Sequence, residues 1–153
     1  IEDLFHMREI SDFFSFRSPS FKKTGLDRSN RTRNHMIDLM VAEPRLIKRP
    51  LIFYQGDIFL GNDSGPLHLA VNCNISTISI FGPETPAMYG PVGSKHTVFY
   101  TNRFCSPCLN VYFSKESKCS NNLCVKEIDP HAVYSAFCNK FIHIASERKL
   151  LAG

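Results

Sequence analysis

The sequence contains no tryptophan, and this absence indicates no particular function. It also contains no apolar run approaching the roughly 20 residues of a membrane-spanning helix. Its first residues also lack a basic segment followed by an apolar one, the pattern of a secretory signal. The net charge of +4 is too small to indicate a nucleic-acid partner. We therefore expect a cytoplasmic protein that neither crosses a membrane nor binds nucleic acid.

The 153 residues have the composition of a globular chain, with 43% hydrophobic and 21% charged residues. Three segments have the apolar spacing of amphipathic helices: residues 3–14, 33–43 and about 130–147. Three apolar or β-branched runs predict strands: residues 45–54, entered through Arg49-Pro50, then residues 75–81 and residues 95–100. Residues 17–32 and 82–93 are predicted loops because they are rich in turn-forming residues. The alternation of strands and helices after residue 51 predicts an α/β fold with a parallel sheet.

Two pieces of the first half carry an arginine beside turn-forming residues: "DFFSFRSPSFKKTGL" and "MIDLMVAEPRLIKRPLIF". They resemble the C-terminal half of the arsenate reductase family, which includes the Spx-type regulators and has a thioredoxin fold. The resemblance implies that Arg17 and Arg49 hold an oxyanion near a reactive cysteine, and guanidinium groups suit that task. The first cysteine here is Cys73, however, so the nucleophile is missing. The arginine pair is therefore an oxyanion-binding remnant or, alternatively, two ordinary surface arginines.

The stretch "FLGNDSGPLHLAVN" (residues 59–72) places a turn of small residues between an apolar strand and a helix. The first N–H groups of a helix have no intrahelical partner, and the helix dipole adds partial positive charge there. Gly65 lets a ligand approach the backbone, while Ser64 can cap the helix or donate to a phosphate oxygen. Asp63 precedes them, and His68 lies about one turn into the helix. The pattern predicts a phosphate cradle or, alternatively, an ordinary capped turn.

Followed by "ISTISIFGPETP", this stretch resembles the C-terminal domain of family 9 glycosyltransferases, which includes lipopolysaccharide heptosyltransferases. The resemblance covers residues 57–153 and implies a partial Rossmann-like domain of the GT-B type. It also implies that Ser64 and Gly65 contact the donor's diphosphate and that Asp63 contacts the donor sugar. His68 would hydrogen-bond phosphate or steady the leaving diphosphate. The loop "GPETPAMYGP" is expected to line the same cleft. The resemblance places the general base in an N-terminal domain that this sequence does not contain.

Six cysteines fall in two kinds of setting along the chain. Four of them, Cys105, Cys108, Cys119 and Cys124, punctuate an irregular loop, and their spacing would allow a structural zinc with four thiolates. Disulfides or four separate reduced thiols are the alternatives. Cys73 and Cys138 fall on predicted helix faces, where we expect them to be small core residues.

The sequence thus predicts two partial domains, an arsenate reductase-like segment at residues 1–56 and a glycosyltransferase segment at residues 57–153. The leading hypothesis is transfer of heptose from ADP-heptose to a lipopolysaccharide core or other saccharide acceptor, with no required cofactor. Through that acceptor, the chain would associate peripherally with the cytoplasmic face of the inner membrane. The alternatives are a thioredoxin-fold protein without its catalytic cysteine and an inactive fusion of two gene fragments.

Overall fold

The structure, a computed structural model, describes residues 9–25, 32–53, 57–109, 117 and 119–151. The chain divides into two compact units, Ile1–Leu51 and Ile52–Gly153. This division falls a few residues before the boundary that the sequence predicts between residues 56 and 57, and that boundary stays a prediction.

The first unit is helical in its described part. Its helices are α1 (Ile10–Phe13), α2 (Pro19–Lys23) and α3 (Arg33–Ala42), followed by a 3-10 turn at Pro44–Leu46. Its buried residues form one cluster: Phe14, Phe21, Met36 and Leu46. The rings of Phe14 and Phe21 meet edge to face, with centroids 5.6 Å apart. The core of this unit is therefore built largely from aromatic contacts.

One helix prediction and one loop prediction in the first unit need correction. Only Ile10–Phe13 of the helix predicted over residues 3–14 is seen, because Phe14 pairs with Ile47 in an antiparallel bridge. Residues 1–8 lie outside the described residues. The loop predicted over residues 17–32 contains α2, because Ser18 accepts a hydrogen bond from the Ser20 N–H (3.2 Å) and proline occupies the first helical position.

The helix predicted over residues 33–43 is confirmed as α3. The hydroxyl of Thr32 caps its start by accepting a hydrogen bond from the His35 N–H at 3.3 Å. Pro44 follows the helix and begins the 3-10 turn. The strand predicted in residues 45–54, entered through Arg49-Pro50, begins at Leu51, directly after that proline.

The second unit is built around a four-stranded sheet. The strands are β1 (Leu51–Phe53), β2 (Ile58–Asn62), β3 (Ser76–Ile80) and β4 (His96–Phe99), in the spatial order β1-β2-β3-β4. β2 pairs with β3, and β3 with β4, both in parallel. The strands predicted over residues 75–81 and 95–100 are confirmed.

Helices cover the sheet on both faces. Phe59 packs with the helix α4 (Gly65–Asn72), whereas its neighbour Ile58 packs with the helix α7 (Pro130–Leu151). Since consecutive strand residues point to opposite faces, α4 and α7 lie on opposite sides of the sheet. This arrangement confirms the predicted α/β class and is that of a partial Rossmann-like domain.

Two short helices complete the second unit: α5 (Pro86–Tyr89) and α6 (Leu123–Lys126). α5 lies within the loop predicted over residues 82–93 and is capped by the Thr85 hydroxyl, which accepts from the Ala87 N–H at 3.2 Å. α7 begins at Pro130 as predicted and ends four residues later than predicted. In the described ranges, no helix combines the length and the apolar character needed to cross a membrane.

Candidate functional site

A cavity of about 490 Å³ opens in the second unit where β2 and β3 end and α4 begins. All four residues that the sequence predicts as donor-binding line it: Asp63, Ser64, Gly65 and His68. Open parallel sheets bind ligands outside the carboxyl ends of their strands, and the volume suits a small organic ligand. The strand–turn–helix motif therefore lies where this fold class places its ligands.

Asp63 and His68 face each other across the first turn of α4. The Asp63 Oδ1 lies 3.6 Å from the His68 Nε2. The Asp63 N–H donates to the Ile80 carbonyl at 3.3 Å, which ties the turn to the end of β3. Asp63 is mostly covered, with 21% of its side chain exposed, whereas His68 is 47% exposed. The cavity thus holds a fixed carboxylate beside an imidazole that a ligand can reach.

The N-terminus of α4 leaves two backbone donors available. The Ser64 hydroxyl does not cap the helix and instead donates to the Asn62 carbonyl at 3.2 Å. Pro66 contributes no N–H, and the N–H groups of the next two residues already reach the Ser64 carbonyl. Within the described part of the chain, the N–H groups of Ser64 and Gly65 donate no hydrogen bond. These two donors, at the positive end of the helix dipole, suit an anion.

The opposite wall comes from the loop after β3, through Gly82, Pro83, Glu84 and Tyr89. One carboxylate oxygen of Glu84, Oε2, is buried and has no hydrogen-bond partner. A buried acceptor without a partner is costly, and a ligand hydroxyl would satisfy it. Sequence reasoning did not single out Glu84, because the only signal was its position in a loop expected to line the cleft.

The charges around the cavity are mainly negative. It carries the carboxylates of Asp63 and Glu84, and no lysine or arginine is among the described residues that line it. Two basic residues of the second unit, Lys95 and Arg103, do not line the cavity. Lys95 donates to the Asn74 side chain (3.0 Å), and Arg103 pairs with Glu127. An anionic group in this cavity would therefore depend on the helix N-terminus and on His68.

Gly90 shapes the loop that forms the cavity wall. A Cβ atom at this position would lie 2.5 Å from the Pro86 carbonyl oxygen. We expect Gly90→Ala to lower the free energy of unfolding by about 1–3 kcal/mol, measured by urea denaturation, because backbone must move to relieve the contact. Gly65→Ala is the matched control, since nothing lies within 4 Å of its Cβ. Equal stability of the two variants would contradict this account of the loop.

The four loop cysteines share one neighbourhood of the second unit. Cys124 is buried. Its pKa is raised first by this burial and then by the nearby thiols of Cys108, Cys119 and Cys105. The backbone N–H groups of Asn121 and Asn122 lower the pKa of Cys119. Among the residues that the structure describes, no three His, Cys, Asp or Glu side chains are grouped to hold a metal ion. Zinc binding by these thiols stays a prediction, which metal analysis of the purified chain would test.

The remaining predicted residues lie apart from the cavity. Arg17 and Arg49 are exposed residues of the first unit. Cys138 is half-buried against the cluster around α7, as expected of a small core residue. The same expectation for Cys73 is wrong, because α4 ends at Asn72 and leaves the Cys73 side chain exposed.

The chain matches two family models. Residues 51–118 match glycosyltransferase family 9 (heptosyltransferase), and residues 6–67 match the ArsC family. The ArsC match implies a thioredoxin-like fold for the first segment. The two matches overlap at residues 51–67, which include β2 and the start of α4.

The curated relatives agree with the first of these models. Two proteins named lipooligosaccharide heptosyltransferase 2, from Campylobacter jejuni subsp. jejuni serotypes O:2 and O:6, are each 30% identical over 78 residues. Each alignment covers 50% of this chain and 23% of the relative, so the chain spans about a quarter of these relatives. No solved structure matches significantly. The chain therefore joins a segment similar to the ArsC family to a segment similar to the family 9 glycosyltransferases.

Proposed function

We propose that the cavity at the start of α4 binds the nucleotide-sugar donor of a glycosyltransferase, and that this donor is ADP-heptose. One observation carries the proposal: Asp63, Ser64, Gly65 and His68 converge on one cavity at the carboxyl ends of β2 and β3. The same residues lie inside the segment similar to family 9 glycosyltransferases. The proposed domain is the nucleotide-sugar half of a GT-B enzyme.

The two sides of the cavity suit the two parts of such a donor. The free N–H groups of Ser64 and Gly65 would hold the diphosphate, with His68 donating to it from the helix. Asp63 would accept hydrogen bonds from the sugar hydroxyls. The unpartnered oxygen of Glu84 would accept another, from the sugar or the ribose. Each carboxylate then meets neutral hydroxyls, away from the charged phosphates.

In the proposed reaction, an acceptor hydroxyl attacks the anomeric carbon of the donor, and the bond from that carbon to the diphosphate oxygen breaks. The diphosphate leaves with the electron pair, and hydrogen bonds from the α4 N-terminus and His68 stabilise its growing charge. A general base takes the proton of the acceptor hydroxyl. By resemblance, this base belongs to a domain outside the present sequence, and we assign it to no residue here.

Isothermal titration calorimetry of ADP-heptose into the 153-residue chain tests the proposal. Because only one wall of the cleft is present, we expect weak binding, with a Kd of about 1 mM. ADP should compete with ADP-heptose, since both carry the diphosphate. A folded chain, verified by circular dichroism, that binds neither ligand would overturn the proposal. Equal binding of UDP-glucose would retain the diphosphate site and contradict the choice of ADP-heptose.

The acceptor that we propose is a lipopolysaccharide core or another saccharide. The two relatives are named for lipooligosaccharide, a surface glycolipid, which favours an acceptor of this class. An enzyme that works on a membrane-anchored saccharide would meet the membrane through its acceptor, and we propose peripheral association at the cytoplasmic face. A flotation assay compares vesicles that contain lipooligosaccharide with vesicles that lack it. Binding only to the first kind indicates association through the acceptor, and equal binding to both indicates direct lipid binding.

The ArsC match supports a second candidate for the first unit, an arsenate reductase-like or Spx-like segment. Arg17 and Arg49 would be its oxyanion-binding remnant, and the sequence supplies no cysteine before Cys73 to act as its nucleophile. The overlap of the two family matches also favours a fusion of two gene fragments. Uninterrupted single-molecule reads across codons 50–65 would decide whether the junction is natural.

A further inference from the structure

A second cavity, of about 550 Å³, lies at the other end of the same sheet. It is lined by Ser76, which begins β3, by Lys95 and Thr97 at the start of β4, and by Lys140 and His143 of α7. Ser76 and Ile80 mark opposite ends of β3, and Ile80 lines the donor cavity. Four strand residues span about 13 Å, so the two cavities are separate sites.

Two lysine ammonium groups at this cavity lack an acidic partner. Lys140 Nζ donates to the backbone carbonyl of Lys95 at 2.7 Å, and Lys95 Nζ donates to the Asn74 side chain at 3.0 Å. Neither forms an ion pair with a carboxylate of the described residues. Lys140 is half-buried, and this burial lowers its pKa. A bound anion would therefore relieve an unfavourable arrangement of charge.

The positive potential reaches the neighbouring His96. Burial, and then the charges of Lys140 and Lys95, lower the pKa of His96, whose Nδ1 lies 3.0 Å from the Thr77 Oγ1. Glu147 is the one carboxylate among the described residues that line the cavity. It lies 3.6 Å from the His143 imidazole, and both of these side chains are mostly exposed. Lys140 is thus the half-buried cation of the cavity, whereas Lys95 and Glu147 are exposed.

From this arrangement we propose that the cavity between β4 and α7 binds a phosphate monoester. Lys95 and Lys140 would hold the phosphate as point charges. Ser94, Thr97 and Asn139 add neutral hydrogen-bonding groups around them. The volume exceeds that of a phosphate alone and leaves room for a small polar body such as a sugar. The site is independent of the proposed donor cavity and would survive the failure of that proposal.

The probe is glucose 6-phosphate, titrated into the intact chain at low salt and followed through the histidine ring signals by NMR. We expect the signals of His96 and His143 to shift and the pKa of His96 to rise, because the phosphate offsets the charges of both lysines. The signal of His35, which lies in the first unit and lines neither cavity, serves as the internal control and should stay in place. No shift of His96 and His143, or a shift of His35 as large as theirs, would overturn the proposal.

Three variants sharpen the test. Lys140→Met and Lys95→Met keep an unbranched side chain one atom shorter and remove its charge, and each should weaken binding about tenfold. Lys149→Met is the matched control on α7, since Lys149 is exposed and lies outside the cavity; its affinity should equal that of the unmodified chain. If Lys140→Met binds glucose 6-phosphate as tightly as Lys149→Met, the lysines do not form the site and the proposal fails.

Two further ligands identify the source of the phosphate. Inorganic phosphate should shift the same two histidines, whereas glucose should not. Vesicles of phosphatidylglycerol present the same phosphate chemistry on a surface. Binding to these vesicles without any response to glucose 6-phosphate would overturn the assignment of a small phosphorylated ligand and would identify a membrane contact instead.

Discussion

Asp63→Asn is expected to weaken ADP-heptose binding about 10–100-fold, because a hydrogen bond to a charged acceptor contributes about 1.5–3 kcal/mol. The asparagine side chain has the same shape but loses the negative charge and one acceptor. The substitution also changes the contact with His68, whose Nε2 lies 3.6 Å from the Asp63 Oδ1. The turn itself should persist, since the hydrogen bond to the Ile80 carbonyl comes from the backbone of residue 63. Under conditions where calorimetry detects ADP-heptose binding to the unmodified chain, the variant should therefore show no binding heat.

The matched control is Asp129→Asn in the same unit. Asp129 accepts a hydrogen bond from the His131 N–H at 2.9 Å, and an asparagine oxygen can keep that contact. It lies outside the donor cavity, so its removal should leave the affinity for ADP-heptose unchanged. Thermal unfolding verifies that both variants are folded. Equal affinities for the two variants would show that Asp63 does not contact the donor.

The Gly65→Ala substitution tests the same site independently. A Cβ atom there meets nothing within 4 Å, so an alanine fits the protein without strain. It would nevertheless stand beside the N–H groups proposed to hold the diphosphate, where only a glycine lets the ligand approach closely. Gly65→Ala should therefore weaken ligand binding and leave the stability of the protein unchanged. This result would distinguish a binding role of Gly65 from a structural one.

The parts of the site that the sequence predicts are contiguous in the chain. Asp63, Ser64, Gly65 and His68 fall within six residues, and a strand followed by a helix fixes their common direction. Local pattern was sufficient here because the predicted order of strand, turn and helix forms as β2, residues 63–64 and α4. The Ser64 hydroxyl shows the limit: the sequence left capping and phosphate contact open, and the hydroxyl donates to the Asn62 carbonyl and does not cap α4.

The parts that the sequence does not predict depend on distant segments. Leu109 and Val125 line the donor cavity although they follow Asp63 by more than 40 residues. The Pro83 carbonyl draws in the first of these segments by accepting from the N–H groups of Cys108 and Leu109, at 2.9 and 3.0 Å. Lys95 and Lys140 of the second cavity are likewise far apart in sequence and meet through a side chain and a carbonyl. The periodicity of hydrophobic residues along the chain does not predict contacts between segments that are far apart in sequence.

Phe81→Ala is expected to lower the free energy of unfolding of the second unit by about 3–5 kcal/mol. The Phe81 side chain is fully buried and packs with Phe59, Leu67 and Ala70 between the sheet and α4. Truncation removes the ring from this cluster and leaves a cavity that the surrounding strands can only partly fill. Domains are typically stable by only about 5–15 kcal/mol, so the loss is a large part of the total.

Phe104→Ala is the control, because the same side chain is 96% exposed and its removal should change the stability by no more than about 0.5 kcal/mol. Urea denaturation followed by circular dichroism compares the two. A Phe81→Ala variant as stable as Phe104→Ala would mean that the core between β3 and α4 is not formed in solution. The donor cavity would then have no rigid wall, since Gly82 follows Phe81 directly and begins the loop that carries Glu84. The packing of the Phe81 side chain therefore matters for the proposed function as much as the residues that would contact the donor.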